Sequence, residues 1–597
     1  MTKKEIMDIL STLPKGGITS KKIKSSNGKV YEYHFLQWTE NGKQKSRSLK
    51  DDEIETVKTQ LENRKQLESM LSLGEYSADD SNLGFNTQVM IGSNLVSLVE
   101  EVKKYKKRDG YKRLEDYVYG SYRGRVFILY GLRRTGKTTL MEQIIADMKY
   151  EDVLQTAFIQ TKKQDTFAKL NKDLLLLQSK GYKYVFIDEV TIMTDFIEGA
   201  ALLSDIYASS GMKIILSGTD SLGFWITKSN ELYDRCILLH TTFIPYREFA
   251  EVLGVKGIDT YIQYGGTMSR SGYHYNTFEN KSSTDEYIDS AIANNIQHSL
   301  KYYQYEGHFR HLYDLYEKGE LTSAINRVVE DINHRFTIDV LERTFRSNDL
   351  EISANNLRKD RFAPTTVLDD IDLESFTARL KELLNIKNKE EQSVIIDEIH
   401  VHQIEEYLTA LDLINTIDLV DIDVYKPDRT RIVFTQPGLR YSQAKSLVLS
   451  LSQDPQFKNL DPEERNRVNE RILSEISGRM AEDIVLLETK LAYPKMKVFK
   501  LQFSDGEFDM VISDPDSLET QIFEIKYSKE VLKEQSRHLI DENKCKDCAH
   551  RFGKIVKKTV LYRGQNTELN GIYYQNIEEY LLSLKSICNK KRTTFSK

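Results

Sequence analysis

Three short apolar runs, each followed by polar residues, dominate the hydrophobic pattern of residues 126–270. They are Val126–Tyr130, 184–187 and 213–216, and helical stretches separate them. Continuous apolar runs of about four to eight residues are typical of strands that a parallel sheet buries on both faces. The pattern therefore predicts a parallel-sheet α/β domain over 126–270, with a ligand crevice at the carboxyl ends of its strands.

Residues 1–75 have the pattern of a small β-sheet followed by a helix. The β-prone runs are Gly17–Lys24, 30–39 and Lys43–Leu49, and a helix rich in Lys, Glu and Leu is predicted from Asp51 to about Leu71. Asn-Gly, which strongly favours a tight hairpin turn, occurs in both connections, Ser26-Asn27-Gly28 and Glu40-Asn41-Gly42. The pattern predicts a three-stranded sheet plus one helix.

The rest of the chain divides into four segments. Residues 76–125 are a polar linker followed by helical sequence, 271–390 are mostly helical by periodicity, 391–445 hold a helix and two strands, and 446–597 mix strands with helices. We therefore expect a multidomain α/β protein.

Residues 391–445 have the pattern of a helix followed by a hairpin. An amphipathic helix is predicted over 401–417, and two short strands around a polar turn are predicted within 421–434. This combination is typical of a winged helix, which serves either DNA binding or the spacing of domains, and the pattern leaves both uses open. Asp397 and Glu398 follow a short apolar run, but no phosphate loop precedes it, so we assign no second nucleotide site there.

Composition indicates a folded chain of the cytoplasm. Charged residues make up 29% of the 597 residues and aromatic residues 10%, which is typical of a globular protein with several cores. Four cysteines, without a signal peptide or an apolar run long enough to cross a bilayer, predict a reducing compartment and no membrane partner. Cys545 and Cys548 form a single C-x-x-C pair, for which free thiols are favoured over a zinc site.

Basic residues are concentrated at the start of the chain. Residues 1–50 carry eleven Lys or Arg and four Asp or Glu, a local balance of +7 in a chain of net charge −6, and 103–113 form a further basic run. The predicted sheet, with Tyr31, Tyr33 and Trp38 interleaved among basic residues, resembles the arm-type DNA-binding domains at the front of phage integrases. That resemblance implies DNA as a partner, but a protein-interaction module with solubilising lysines has the same pattern.

The run Val126–Tyr130 leads directly into a complete phosphate-loop motif, G-x-x-x-x-G-K-[ST], which a helix follows. In this motif backbone N–H groups close around phosphates, a lysine adds positive charge and a hydroxyl contacts Mg²⁺. The residues predicted to bind ATP here are Gly131, Arg134, Thr135, Gly136, Lys137, Thr138 and Thr139. A glycine-rich surface turn is the plainer alternative, and the flanking strand and helix argue against it.

Polar residues at the ends of the other two runs predict the rest of an ATPase site. Asp188 and Glu189 would place one carboxylate on Mg²⁺, together with Thr138, and a second, catalytic one beside the attacking water. Thr219 lies just beyond the run 213–216, where a polar side chain would sense the γ-phosphate. The sequence therefore predicts ATP and Mg²⁺ as cofactors.

A second group of charged residues lies on two predicted strands near the C-terminus. Asp509 lies within the run 506–512, and alternation points Glu524 and Lys526 to one side of the run 521–526. Asp509 and Glu524 would share Mg²⁺ or Mn²⁺, and Lys526 would position or deprotonate a water for attack on a phosphodiester. Glu482, on a helix predicted over 478–491, offers a further metal-side carboxylate. We expect an open, hydrated cleft, although an ordinary exposed sheet face has the same pattern.

From about residue 126 to 564 the chain resembles bacterial and archaeal ATPases of the extended AAA superfamily. The resemblance rests on the segments 131–140, 185–189, 234–235, 244–249, 407–417, 434–439, 478–482, 507–509 and 524–526. In that group a winged helix and a C-terminal domain of the PD-(D/E)XK nuclease fold follow the ATPase. The resemblance implies ATP hydrolysis coupled to a metal-dependent nuclease-like domain that acts on DNA, in phage defence or mobile elements.

The resemblance leaves the roles of several residues open. It makes Arg235 a candidate arginine finger or sensor at the γ-phosphate, with a surface salt bridge as the equal alternative. It does not decide whether Asp509, Glu524 and Lys526 cleave nucleic acid. The alternative function is a nucleotide-gated switch whose C-terminal domain binds DNA or protein without cutting. A homo-oligomer and a protein partner of the N-terminal domain are further expectations.

Overall fold

Three β-sheets and the helices packed on them form this α/β protein. The computed structural model describes residues 3–24, 30–40, 43–73, 84–219, 235–267, 279–302, 309–346, 396–451 and 461–584. Several predicted features lie outside the described residues, namely the turns at 26–28 and 41–42, the linker at 76–83, Asp234 and the helical sequence at 347–390. The sheets contain three, six and eight strands.

The N-terminal sheet is confirmed as three antiparallel strands with a helix on one face. Its strands are β1 (Gly17–Lys24), β2 (Val30–Glu40) and β3 (Lys43–Leu49). Its helices are Asp51–Leu73, which was predicted, and Lys3–Thr12, which was not. Trp38 packs towards the helix with Leu36, because residues two apart on a strand face the same side. Trp38 therefore packs on the helix-facing side of the sheet, whereas Tyr33 is exposed.

A six-stranded sheet leads into the predicted phosphate loop. Its strands are β4 (Gln88–Met90), β5 (Val126–Tyr130), β6 (Thr156–Gln160), β7 (Tyr184–Asp188), β8 (Lys213–Gly218) and β9 (Cys236–His240). They lie in the order β4-β6-β7-β8-β5-β9, all parallel except β4. Because β8 lies between β5 and β7, the polar residues that follow these three strands meet at one edge, as the sequence predicted.

Helices cover both faces of this sheet and bury an apolar core on each. They are Gly92–Val99, Tyr111–Tyr119, Lys137–Asp147, Tyr150–Val153, Phe167–Ser179 and Phe196–Leu202, with Tyr246–Glu251 and Ile258–Tyr264 after β9. The helical sequence expected before β5 is broken between Val99 and Tyr111, where a short 3₁₀ turn, Glu101–Lys104, intervenes.

The helical segment that follows packs against the phosphate loop. Its helices are Lys281–Ile288, Asn294–Tyr302, Arg310–Glu317 and Leu321–Arg346. Their apolar side chains share one core with the later helix Glu398–Ala410 and with Leu132 of the loop. The helical segment is therefore in direct apolar contact with the loop.

The helix expected over 401–417 ends earlier, and its last residues form a strand. The helix is Glu398–Ala410, and Asp397 caps it by accepting the His400 N–H at 2.9 Å. Asp412 turns the chain with a φ of 64°, and β10 (Ile414–Asp421) then pairs with β11 (Arg429–Phe434). The helical periodicity was misleading because Ile414 continues the apolar spacing while lying on a strand.

The hairpin of β10 and β11 belongs to the C-terminal sheet. The other strands are β12 (Lys497–Phe503), β13 (Gly506–Asp514), β14 (Glu519–Ile525), β15 (Lys554–Tyr562), β16 (Thr567–Leu569) and β17 (Ile572–Asn576). The order is β11-β10-β12-β13-β14-β15-β17-β16, and β10 runs parallel to β12. Segments 391–445 and 446–597, expected as separate domains, thus share one sheet. Local patterns do not reveal a pairing between strands so far apart in the chain.

One apolar core joins the helices that follow β9 to this sheet. The C-terminal helices are Pro437–Leu451, Pro462–Ala492, Arg537–Ile540, Glu542–Phe552 and Ile577–Ser583. Residues of the long helix Pro462–Ala492 are buried together with residues of Tyr246–Glu251 and of Ile258–Tyr264. Within the described ranges, every helix is too short or too polar to cross a membrane.

Candidate functional site

Two glycines shape the phosphate loop. Gly131 has a φ of 142° and Gly136 a φ of 82°. A Cβ on Gly131 would lie 2.4 Å from the Thr241 carbonyl oxygen, so a side chain has no room there. Gly136 caps the helix Lys137–Asp147, whose first N–H groups are the donors that an anion needs.

Lys137 lies buried inside the loop. Its Nζ donates to the carbonyl oxygens of Gly131 at 2.9 Å and of Leu132 at 2.7 Å. Burial lowers the pKa of Lys137 to about 8, against the opposing effect of the Glu189 and Asp188 carboxylates. A bound phosphate would favour the charged form of this ammonium. Lys137 is thus placed where the prediction requires a positive charge.

The two predicted Mg²⁺ ligands contact each other. Thr138 Oγ1 donates to Asp188 Oδ2 at 2.9 Å, and Ser217 Oγ donates to Asp188 Oδ1. These bonds hold the carboxylate at the edge where β5, β7 and β8 end. A hydroxyl and a carboxylate oxygen side by side fit Mg²⁺, which prefers oxygen ligands. The role of Ser217 in orienting Asp188 was not predicted from the sequence.

Glu189 lies beside this pair on a strained backbone. Its φ of 58° is unusual for a residue other than glycine, and its N–H donates to Ser217 Oγ at 3.1 Å. Thr219 Oγ1 donates to Glu189 Oε2 at 3.4 Å. Burial raises the pKa of Glu189, an effect that Lys137 opposes and Asp188 reinforces. A carboxylate held in this way can orient a water towards a phosphate.

A buried ion pair that the sequence did not reveal supports the loop from behind. Arg108 Nη1 donates to the Thr135 carbonyl oxygen at 2.5 Å, and Arg108 Nε donates to Glu248 Oε2 at 2.6 Å. Both side chains of the pair are almost fully buried. The basic run 103–113 is therefore not wholly a surface feature, because Arg108 is part of the ATPase core.

The other residues predicted to bind ATP lie on the outer side of the phosphate loop and at the start of the helix that follows it. Thr135 Oγ1 donates to the Leu132 carbonyl oxygen at 2.8 Å. The Arg134 guanidinium is exposed and lies 5.5 Å from the centre of the Tyr287 ring, which belongs to the helical segment. Thr139 is half-buried in the first turn of the helix that follows the loop. Arg134 thus links the loop to the helical segment.

Two hydrogen bonds connect the helical segment to the strand ends. Asn295 Nδ2 donates to the Thr219 carbonyl oxygen at 3.1 Å, and His298 Nε2 lies 2.5 Å from the Thr191 carbonyl oxygen. Burial lowers the pKa of His298. Sequence patterns gave these two residues no role, because only the tertiary packing brings them to the site.

The structure places Arg235 away from this site. It immediately precedes β9, and its carbonyl oxygen accepts the N–H of Val126 at the start of β5, at the opposite end of the strand from the loop. Its side chain is 46% exposed and pairs with Asp205 at 3.1 Å. The expectation of a finger or sensor within the same chain is corrected to a surface salt bridge. A role at the site of a neighbouring copy stays a prediction.

The charged residues predicted in the C-terminal domain lie together. Lys526 Nζ is 2.6 Å from Glu524 Oε2 and 3.0 Å from Asp509 Oδ2. The N–H of Ile525 also donates to Asp509 Oδ2, at 2.8 Å. The antiparallel register of β13 and β14, which pairs Met510 with Phe523, brings Asp509 next to Glu524. We refer to Asp509, Glu524 and Lys526 as the C-terminal centre.

The two carboxylates of the C-terminal centre are buried and its lysine is partly exposed, which corrects the open, hydrated cleft expected from the sequence. Asp509 is 3% exposed and Glu524 is 1% exposed. The long helix Pro462–Ala492 closes one side by contributing Arg479 and Glu482, which pair with each other. A strand pattern shows which side chains share a face, but not whether a distant helix covers that face.

A lysine that the sequence did not reveal as part of a site borders the C-terminal centre. Lys500 Nζ lies 2.7 Å from Glu507 Oε1, 3.2 Å from Glu482 Oε2 and 3.3 Å from Asp509 Oδ1. Glu482 therefore pairs with Lys500 and Arg479, and the metal-side role predicted for it stays a prediction. The hint in the sequence was a lysine between Phe499 and Leu501, in an apolar run.

Burial and mutual attraction set the charges of the C-terminal centre. Burial alone would raise the pKa of Asp509, but Lys526 and Lys500 reverse that effect and hold it below its usual range. Burial and the neighbouring Asp509 raise the pKa of Glu524 well above its usual range. Burial disfavours the charge of Lys526, but Asp509 and Glu524 override it and raise its pKa. Asp509 is thus the firmly ionised acid of the pair.

Asp509 and Glu524 fit a single divalent ion. Glu524 Oε1 is buried without a hydrogen-bond partner, and such an oxygen is costly unless a cation or donor reaches it. Over the described residues, no group of three or more His, Cys, Asp and Glu side chains is arranged to hold a metal. A divalent ion at this position would have only the two carboxylates of Asp509 and Glu524 as protein ligands, and water would have to complete its coordination.

The C-x-x-C pair lies on the helix Glu542–Phe552. Cys545 and Cys548 are free thiols, and burial raises the pKa of Cys548 to about 12. Cys545 Sγ lies 3.3 Å from the Leu539 carbonyl oxygen and from Lys558 Nζ. Both side chains contribute to packing.

Buried polar contacts join the ATPase to the C-terminal domain. Glu488 Oε1 accepts the Tyr246 N–H at 2.8 Å, and burial raises the pKa of Glu488 to about 7. Tyr527, which follows Lys526, donates to Asp259 on the helix Ile258–Tyr264. The C-terminal centre is thus one residue away from a contact with the ATPase.

Comparisons with known proteins support an AAA-type domain around the phosphate loop. Residues 123–250 match the protein-family model described as an AAA domain, so this part of the chain is an AAA-type ATPase domain. A solved structure of the ORC1 protein of Aeropyrum pernix in complex with DNA is similar over 60% of this chain and 92% of its own, with 11% identity and a TM-score of 0.21. A structure concerning katanin self-assembly is similar over 56% and 99%, with 12% identity and a TM-score of 0.20. TM-scores this low do not establish a common fold for the whole chain. No curated protein matches the sequence.

Proposed function

We propose that this chain hydrolyses ATP, with Mg²⁺ and the phosphates bound at the carboxyl ends of β5, β7 and β8. The observation that carries the proposal is the hydrogen bond from Thr138 to Asp188, because it joins the phosphate loop to the carboxylate strand across β8. The match of 123–250 to an AAA domain supports it independently.

Each residue of the site has a distinct role. Lys137 and the N–H groups after Gly136 bind the phosphates, while Thr138 and Asp188 are the ligands for Mg²⁺, which neutralises charge on the phosphates. Glu189 orients the attacking water, and Thr219 orients Glu189. Asn295 of the helical segment donates to the Thr219 carbonyl oxygen. A shift of Thr219 during ATP hydrolysis would therefore move the helices packed on the loop.

Steady-state ATP hydrolysis by the purified chain tests this function. We expect release of phosphate that requires Mg²⁺ and stops when EDTA is added. Turnover that continues at the same rate in EDTA, or no turnover with any divalent ion, would contradict the assignment.

The second proposed function is metal-dependent phosphodiester cleavage by the C-terminal domain. The unpartnered Glu524 Oε1 favours it, since that oxygen and Asp509 would bind the ion, and Lys526 would position a water or the scissile phosphate. Binding of nucleic acid without cleavage is the alternative, and the burial of Asp509 and Glu524 favours it. The setting implied by the family resemblance is phage defence or mobile elements.

DNA is the partner that the charge distribution favours. Lys21, Lys43 and Lys45 are exposed on the N-terminal sheet. In the C-terminal domain, Arg537, His538 and Lys544 line a cavity of about 340 Å³, together with Asp505, Gly506 and Asp541. Gly506 in this lining is the first residue of β13, the strand that carries Asp509, and the two aspartates share the cavity with the three basic groups.

Replacing Lys21, Lys43 and Lys45 together by Ala should weaken duplex DNA binding and flatten its salt dependence. Each lost phosphate contact lowers the slope of log K against log salt by about 0.9, so three contacts lower it by up to about 2.7. Fluorescence anisotropy over a salt series measures the slope.

A matched control replaces Lys172, Lys180 and Lys183, which are exposed on the ATPase domain, and should leave the slope unchanged. If the N-terminal triple variant keeps both affinity and slope, the N-terminal domain is a protein-interaction module.

A further inference from the structure

Lys500 is fully buried, with its ammonium surrounded by carboxylates. Its side chain is 0% exposed, and its Nζ contacts Glu507, Glu482 and Asp509 at 2.7 to 3.3 Å. Three carboxylates this close would repel one another strongly in a protein interior without a cation among them. The ammonium supplies that cation permanently.

The register of β12 and β13 brings these groups together, next to an irregularity in the sheet. Phe499 of β12 pairs with Val511, but Leu501 pairs with Phe508, so β13 has one extra residue opposite Lys500. A bulge of this kind turns side chains away from their regular directions and is frequent next to active sites. Asp509 continues the register that pairs Leu501 with Phe508 and so lies opposite Lys500, and Glu507 lies two residues away on the same face of β13, so both reach the same ammonium.

The two oxygens of Asp509 face different cations. Oδ1 lies 3.3 Å from Lys500 Nζ, and Oδ2 lies 3.0 Å from Lys526 Nζ. In centres with two metal ions, a shared carboxylate bridges ions that are about 3.5 to 4 Å apart. The position of Lys500 Nζ, among Asp509 Oδ1, Glu482 and Glu507, corresponds to the place of the second ion in such a centre.

We propose that the ammonium of Lys500 is a built-in second cation, so that the C-terminal domain takes one divalent ion, at Asp509 and Glu524. Glu482 and Glu507 bind Lys500 in place of a metal. This inference rests on the metal-binding role given above to Asp509 and Glu524. Displacing Lys500 by a second ion would bury an ammonium without its carboxylates, which is strongly unfavourable.

Counting bound Mn²⁺ on the nucleotide-free full chain tests the proposal. Isothermal titration and the loss of the free Mn²⁺ EPR signal both give the number of ions. In the wild type, the ion absent from Glu524→Gln belongs to the C-terminal centre, and a second ion is counted as the gain of Lys500→Met over the wild type. We expect one such ion in the wild type and two in Lys500→Met, because the freed carboxylates then hold a second ion. The control Lys490→Met removes a lysine of the same domain that pairs with Asp418, and it should keep one ion.

A stability measurement keeps the test valid if Lys500→Met folds poorly. Its melting temperature should be low in EDTA and rise with Mn²⁺ by several degrees more than that of the wild type. The double variant Lys500→Met/Glu507→Gln, which removes one of the repelling charges, should fold in EDTA and still show the extra rise.

The outcomes separate this inference from the metal site on which it rests. Two ions in the wild type, or one ion in both the wild type and Lys500→Met, would overturn the role of Lys500. No ion in the wild type but one gained in Lys500→Met would support Lys500 as the cation and overturn the metal site at Asp509 and Glu524. No ion in either protein overturns both.

Discussion

Lys137→Ala should abolish ATP turnover and weaken nucleotide binding. The Nζ of Lys137 is buried within the loop, and losing its charge-assisted contact with a phosphate should cost about 1.5 to 3 kcal/mol, a roughly 10- to 150-fold rise in Kd. Phosphate release and the fluorescence of a labelled ATP analogue measure the two effects separately. Undiminished turnover in this variant would remove the site assignment.

Two companion variants show that the effect belongs to the site. Glu189→Gln should bind ATP at near wild-type affinity and hold it unhydrolysed, because Glu189 orients water and does not hold phosphate. Lys213→Ala should change neither quantity, because Lys213 Nζ donates to the Gly120 and Tyr122 carbonyl oxygens at the opposite edge of the same sheet.

The second large effect concerns Asp509. Asp509→Ala should lower the free energy of unfolding by about 3 to 5 kcal/mol, because it removes a buried carboxylate from the fully buried ammonium of Lys500 and from the partly exposed ammonium of Lys526. Urea denaturation followed by circular dichroism measures it. The matched control is Asp514→Ala at the exposed end of the same strand, which should cost about 1 kcal/mol or less. Equal effects of both variants would mean that the C-terminal centre is hydrated.

Milder variants then address cleavage. Glu524→Gln keeps the shape of the side chain and should eliminate any Mg²⁺- or Mn²⁺-dependent cleavage of DNA while leaving ATP turnover nearly intact. Lys526→Ala should also stop cleavage but retain metal binding, since an ammonium is not a metal ligand. A wild type that cuts neither DNA nor RNA with any divalent ion would establish the non-cleaving alternative.

The arrangement of the proposed ATP site was predictable because its residues follow from short-range order. Residues 126–139 contain strand, loop and helix start in one stretch, and the polar ends of β7 and β8 meet this loop in any parallel sheet of this order. Only the supporting residues, such as Arg108 and Ser217, were missed. Their roles depend on contacts with residues far away in the chain.

The C-terminal centre was predictable only in part. Strand alternation placed Glu524 and Lys526 on one side, and the antiparallel register brought Asp509 to them. Burial by the helix Pro462–Ala492 and the bulge opposite Lys500 arise from tertiary packing. The prediction for Arg235 was wrong for a related reason. The sequence analysis did not identify β9, which begins directly after Arg235 and places it at the end of the sheet opposite the phosphate loop.

The pairing of β10 with β12 determines how the chain can be divided experimentally. A fragment that starts at residue 446 would lack β10 and leave one backbone edge of β12 unpaired, although β12 contains Val498, Phe499 and Leu501. Open apolar strand edges recruit strands from other molecules and lead to aggregation. Such a fragment is therefore expected to be insoluble, and a usable C-terminal fragment has to begin before Asp397, so that the helix Glu398–Ala410 and both strands of the hairpin are retained.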